Sequence, residues 1–241
     1  MYQLERLKNL LQEWRADESR QYRIMSFGAS ETQIGGQTGS HLNWFHWLEE
    51  SLRGDRVHFV MLNEGQGGNC IRDLCGRFER DCASLKPDLV FIQIGDNDAG
   101  IELPLDEYKE KLTWLCRRIK EFGGVPVLQT IYWPQVHNFS PYYQEHLADY
   151  FRINREVAEA EDFPFIDLIT RRFRAYYEAD PAQYARAVMR DNDHLNGVGN
   201  AVWGRMLTDL LGLPSIDLAD LTNAVDQQIW IMKQLCGEDA E

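Results

Sequence analysis

The sequence predicts an α/β protein built on a five-stranded parallel sheet with helices on both faces. Three observations predict it. Five short apolar runs have the length of strands, and each is separated from the next by a segment of helical periodicity. Turn residues, mostly Gly, Asn and Asp, close several of these runs. The 241 residues are 44% hydrophobic and 26% charged, the balance of a globular chain long enough to bury a core. No internal repeat or low-complexity linker interrupts the pattern, so residues 1–241 read as one domain.

The elements follow in order. Leu4, Leu7, Leu11 and Trp14 recur every three or four residues, which predicts an amphipathic helix over 4–16. Arg23–Phe27 is the first strand, and residues 33–40 form a Gly-rich loop. His41–Leu52 is helical, and Val57–Leu62 is the second strand, closed by the turn NEGQGGN. Ile71–Leu85 fits a helix. Leu89–Ile94 is a nearly continuous apolar strand ending in GDND. Leu105–Phe122 is a long helix stopped by Gly123 and Gly124. Val125–Ile131 is the fourth strand, Tyr142–Glu161 a helix and Phe163–Leu168 the fifth strand. The remainder is helical, broken at Asp191–Gly199 and Gly212–Pro214. Its last segment, 216–236, carries an apolar stripe of Leu218, Leu221, Val225, Ile229 and Met232.

Charge and cysteine content narrow the function. Lys and Arg number 25 and Asp and Glu 38, so the net charge is −13, which argues against nucleic acid or an anionic membrane as partner. No apolar stretch approaches the roughly 18 residues of a membrane span. The N-terminal MYQLERLKNLLQEW is charged throughout and has no signal-peptide core, so a cytoplasmic location is expected. The five cysteines are odd in number and show neither CxxC nor zinc spacing. They are expected to be free buried thiols, with Cys70, Cys75 and Cys82 on one helix.

In parallel sheets ligands bind beyond the carboxyl ends of the strands, so those ends are where chemistry is sought. The first ends in Gly28-Ala29-Ser30-Glu31-Thr32, where Ser30 is either an exposed nucleophile or a turn cap. The second ends in Asn63-Glu64-Gly65-Gln66-Gly67-Gly68, a tight turn or a cradle of bare N–H donors. The third ends in Gly95-Asp96-Asn97-Asp98, where Asn97 either donates to an oxyanion or builds an Asx turn. Near the C-terminus, Asp191 and His194 stand three apart, a spacing that lets a carboxylate orient an imidazole. Asp193 or Asn196 alternatively caps the next helix.

In chain order, GxSxT, NxGxxG, GxND and DxxH resemble the SGNH hydrolases, also called GDSL esterases and lipases. The resemblance spans residues 28–194. It implies a flavodoxin-like three-layer α/β/α sandwich with a five-stranded parallel sheet. It assigns Ser30 as nucleophile, His194 as general base and Asp191 as its orienting acid, with Ser30, Gly68 and Asn97 as the oxyanion hole. The chain departs from the family at two neighbours of the serine: Ala29 replaces the usual aspartate, and Glu31 the leucine of the GDSL name.

The expected function is a serine esterase for small acyl or acetyl esters, those of carbohydrates included, working through an acyl-enzyme intermediate. A thioesterase or acyltransferase on the same site, or a non-catalytic phosphate- or nucleotide-binding protein of flavodoxin-like fold, are the alternatives. No cofactor or metal is expected, since the chain has no HExxH, P-loop or EF-hand motif. Tyr132 and Trp133 after the fourth strand, with Trp44, are candidates to line the substrate site, or else core aromatics. The helices at 4–16 and 216–236 either cover the core or form a homodimer contact.

Overall fold

The computed structural model describes residues 2–33, 42–53 and 59–238. The strands β1 (Tyr22–Gly28), β2 (Phe59–Gly65), β3 (Leu89–Gln93), β4 (Val125–Gln129) and β5 (Phe165–Ile166) form one sheet of order β2-β1-β3-β4-β5. Every neighbouring pair is parallel. This is the flavodoxin-like order, which reverses direction between β1 and β3 and opens a crevice there.

The helices are α1 (Leu4–Ala16), α2 (Trp44–Arg53), α3 (Ile71–Asp81), α4 (Asp96–Gly100), α5 (Leu105–Glu121), α6 (Pro141–Glu161), α7 (Leu168–Ala179), α8 (Pro181–Val188), α9 (Gly197–Leu211) and α10 (Thr222–Leu235). α3, α5 and α6 pack side by side, and α2 and α1 pack with α9. The middle layer is apolar because β1 and β3 are covered twice: Ile24, Met25, Phe27 and all of Leu89–Ile92 are buried.

Several boundaries differ from the sequence expectation for identifiable reasons. β5 is only two residues long. Pro164 has no N–H to give the ladder, and the Phe163 N–H instead closes the end of α6 on the Ala158 carbonyl (2.8 Å). The N-terminus supplies what β5 lacks on its outer side, where Tyr2 and Phe165 exchange two backbone hydrogen bonds of 3.1 and 2.9 Å. The segment GDND is not merely a turn, since Asp96 starts the short helix α4 after Gly95 takes φ +124°. The helix at 71 stops at Asp81, and residues 83–85 continue as a single 3₁₀ turn, so Cys70 and Cys82 flank α3 and only Cys75 lies within it. All five thiols are free. Cys70, Cys82 and Cys116 are buried as expected, whereas Cys75 and Cys236 are half-buried. The helix placed at His41–Leu52 begins at Trp44, and His41 lies outside the described residues, as do positions 34–40 of the Gly-rich loop and Val57.

The terminal helices turn their stripes inward. α1 buries Leu7, Leu11 and Trp14, with Trp14 stacked on Tyr22 at 4.4 Å. α10 packs on α7 and α9 and buries Val225 and Met232. The expected segment 216–236 is helical from Thr222 on, preceded by a short 3₁₀ turn at 219–221.

Candidate active site

Ser30 lies in the turn that leaves β1. The N–H groups of Thr32 and Gln33 both return to the Ala29 carbonyl, at 3.2 and 3.0 Å. Three elements fix this turn from outside. Thr32 Oγ1 donates to Gln93 Oε1 at the end of β3 (2.8 Å), and the amides of Asn43 and Asn63 both donate to the Thr32 carbonyl, at 2.6 and 2.8 Å. Gly65 ends β2 against the same turn, where a Cβ would stand 2.3 Å from the Gln33 nitrogen, so only glycine fits.

His194 approaches from the loop between α8 and α9, which Met189 and Leu195 close as an antiparallel bridge. Its Nε2 lies 3.0 Å from Ser30 Oγ, and its Nδ1 lies 3.1 Å from both oxygens of Asp191. Asp191 Oδ1 also accepts the N–H groups of Asp193 (2.8 Å) and His194 (2.7 Å). Partial burial pushes the Asp191 carboxyl up, but those N–H donors and the imidazole outweigh it and hold it below the usual carboxylate range. Nδ1 therefore meets an ionised acceptor, which favours the tautomer with a bare Nε2 facing the serine hydroxyl. Such a chain can take a proton from Ser30 as the oxygen attacks.

Gly68 and Asn97 flank the same crevice from the ends of β2 and β3. Gly68 has φ +78°, and a Cβ there would meet nothing within 4 Å, so glycine is favoured by the backbone conformation rather than by a steric limit. Asn97 Nδ2 donates one hydrogen to the Asn69 carbonyl (3.0 Å) and has a second to offer. Arg77 ties this region together. Its buried guanidinium donates to the carbonyls of Gly28 (3.0 Å) and Glu64 (2.8 Å) and to Asn69 Oδ1 (2.7 Å), pairs with Asp81 and stacks over Phe27.

The family model of the GDSL-like lipases and acylhydrolases matches residues 26–202, which contain every one of these groups. The chain belongs to this family. It is accordingly a carboxylic ester hydrolase of the SGNH type. An acetylxylan esterase of Geobacillus stearothermophilus is 28% identical over 162 residues, covering 63% of this chain and 72% of that enzyme. The crystal structure of that esterase superposes with a TM-score of 0.67 at 23% identity, covering 82% of this chain and 97% of the other. The uncharacterized lipoprotein YqeF of Bacillus subtilis (strain 168) is 25% identical over 211 residues, 73% of this chain and 81% of that protein. Among the described residues, no helix is long and apolar enough to cross a membrane.

This GDSL-family site carries acids that the sequence motifs did not single out. Glu31, in the place of the family leucine, is buried with Oε1 at 3.3 Å from Ser30 Oγ, while its Oε2 has no hydrogen-bond partner. Burial, then the nearby Asp193, pushes its carboxyl up to about 7. Asp193 is itself pushed up by burial, and its Oδ1 also lacks a partner. Asp96 is raised by burial and by both neighbours, and it accepts the Tyr143 hydroxyl. Glu31, Asp193 and His194 each bring one ligand-type atom to within 4.8 Å of the others. Their positions in sequence show no metal-ligand spacing, because 162 residues separate Glu31 from Asp193 and the fold alone joins them.

The aromatic candidates need correction. Trp44 is fully buried, stacked on Trp203 at 5.4 Å and edge-on to Phe91, so it is a core residue and not a substrate wall. Tyr132 is also buried. Its hydroxyl donates to the Asp193 carbonyl, which makes it a brace for the histidine loop. Gln135 joins it there: its N–H and amide hold the carbonyls of Asn192 (2.9 Å) and Asp191 (2.8 Å). Trp133 turns away, packed edge-on against Phe151 with Arg174 at 4.4 Å over its ring, and lines a separate cleft of about 210 Å³ with Thr170 and Arg171. Neither Ser30 nor His194 lines that cleft. Asn196 does cap α9, accepting the Gly199 N–H at 2.9 Å.

Proposed function

We propose that this chain is a serine esterase that removes small acyl groups, acetyl foremost, from carbohydrate esters. Ser30 is the nucleophile, His194 the base and Asp191 the residue that orients it. The observation that carries the proposal is the unbroken chain of contacts from Ser30 Oγ through both nitrogens of His194 to both oxygens of Asp191. The acetyl preference draws support from the acetylxylan esterase of Geobacillus stearothermophilus, whose catalytic mutants replace a serine, a histidine and an aspartate by alanine.

In the first half-reaction Ser30 attacks the ester carbonyl and His194 takes its proton. The carbonyl oxygen becomes an oxyanion, and the N–H groups of Ser30 and Gly68 and the amide of Asn97 receive it. His194 then gives its proton to the departing alcohol, leaving an acyl-serine. Water, deprotonated by His194, releases the acid and restores Ser30.

Incubation with a fluorophosphonate followed by intact-mass spectrometry is the direct test. One adduct on the parent protein and none on Ser30→Ala supports the assignment. An adduct on another serine rejects it. A series of p-nitrophenyl esters from acetate to decanoate, beside acetylated sugars, then tests the acyl group, and hydrolysis that rises with chain length would reject the acetyl preference.

A further inference from the structure

Serine chemistry leaves two buried acids at this site without a task. Glu31 is only 3% exposed and its Oε2 has no partner, and Asp193 Oδ1 is likewise enclosed and unpartnered. Among the described residues no lysine or arginine forms an ion pair with either. A carboxylate shut away from water requires a proton, a cation or a metal. Among the described residues, the basic group that faces the pair is the imidazole of His194, and it completes a set of three donor atoms within 4.8 Å. Two carboxylates and one imidazole form a donor set that zinc favours, and their two negative charges cancel the charge of the ion.

We propose that Glu31, Asp193 and Nε2 of His194 form a reversible zinc site whose occupation switches the esterase off. The nitrogen follows from the geometry. Asp191 grips Nδ1 with both oxygens, while Glu31 touches Ser30 Oγ, which lies on the Nε2 side. Ligand atoms about 2.0–2.2 Å from a tetrahedral ion stand about 3.3–3.6 Å apart, so side-chain movements of about 1 Å close the site around zinc. A fourth position stays open to water. With its Nε2 lone pair on the metal, His194 has nothing left to accept the Ser30 proton. The inhibition thus rests on the proposed role of His194 as base, whereas the binding site does not.

The test uses protein stripped with EDTA and dialysed, titrated calorimetrically with zinc chloride while hydrolysis of p-nitrophenyl acetate is followed in parallel. One zinc per chain is expected, with activity lost over the same concentration range and restored by EDTA. Glu31→Gln and Asp193→Asn should each weaken binding by about tenfold or more. Ser30→Ala should bind zinc as the parent does while being unable to hydrolyse ester. No binding, or equal affinity in Glu31→Gln and Asp193→Asn, would overturn the site and point to an imidazole–carboxylate pair elsewhere, such as His146 with Asp149. Binding at these residues with undiminished hydrolysis would overturn the inhibition. Metal-free protein that hydrolyses no ester, yet binds zinc through Glu31 and Asp193, would reject the esterase mechanism and leave the metal site standing.

Discussion

In the proposed mechanism Asn97 acts only when charge appears on the substrate oxygen, and one of its amide hydrogens is already held by the Asn69 carbonyl. Replacing it by alanine should therefore lower kcat by about 10²–10³ and leave KM nearly unchanged, measured with p-nitrophenyl acetate. In the proposed mechanism Ser30 and His194 share one proton transfer, so the double mutant Ser30→Ala/His194→Ala should be barely slower than either single variant. Strictly additive losses would separate their roles. Ser30 and Asn97 were legible in the sequence because each sits at a strand end, and His194 because it stands three residues after Asp191, all in a fixed chain order. The sequence marks Glu31 only as a departure from the family and Asp193 only as a candidate cap, since a burial that strips a carboxylate of partners is a property of the folded crevice. The aromatic candidates failed for the complementary reason. Trp44 and Tyr132 have the composition of a sugar platform, and only packing reveals that Trp203 stacks on Trp44 and meets Tyr132 at a steep angle, with both rings buried.

At the level of elements, the strand ends are held in register by a residue no motif predicts. Arg77 projects from α3 and bonds to carbonyls at the ends of both β1 and β2 and to the side chain of Asn69. Two of its acceptors are backbone carbonyls, which any sequence supplies, so no pattern of residue types announces those contacts. Arg77→Met removes one donor from each of those carbonyls and from Asp81, which keeps Arg80 and Gln66. An unfolding free energy lower by about 2–3 kcal/mol in urea is expected. Because Asn69 in turn holds Asn97, kcat should fall as well, and an unchanged kcat would confine Arg77 to stability. Strands and long helices were readable from periodicity, but the shortness of β5 and the existence of α4 were not. Pro164 shortens the first, and the second is a single turn whose Asp-rich sequence also suits a loop.

Across the whole molecule, buried acids set how stability responds to pH. Asp98 accepts the Ile71 N–H at 2.9 Å, its second oxygen has no partner, and burial pushes its carboxyl up to about 7. The folded chain then keeps a proton that the unfolded chain releases near pH 4. Between about pH 4 and 7 the folded state binds more protons at this site, so its contribution to stability falls as pH rises and is level above 7. Asp98→Asn keeps the acceptor for Ile71 and removes the titration. Its melting temperature should match the parent at pH 4.5 and exceed it by about 4–8 °C at pH 8, followed by circular dichroism. A constant difference across that range would assign the effect to packing instead.

The two backbone bonds between Tyr2 and Phe165 carry a consequence of a different kind. A sheet this short on its last strand has a bare rim, and a bare rim recruits whatever extended chain it meets. Tyr2, from the protein's own N-terminal segment, occupies that rim before a neighbour can. The first residues of the chain thus act as a built-in stopper against strand-by-strand self-association, and trimming them would unblock a template for aggregation while leaving the chemistry of Ser30 untouched.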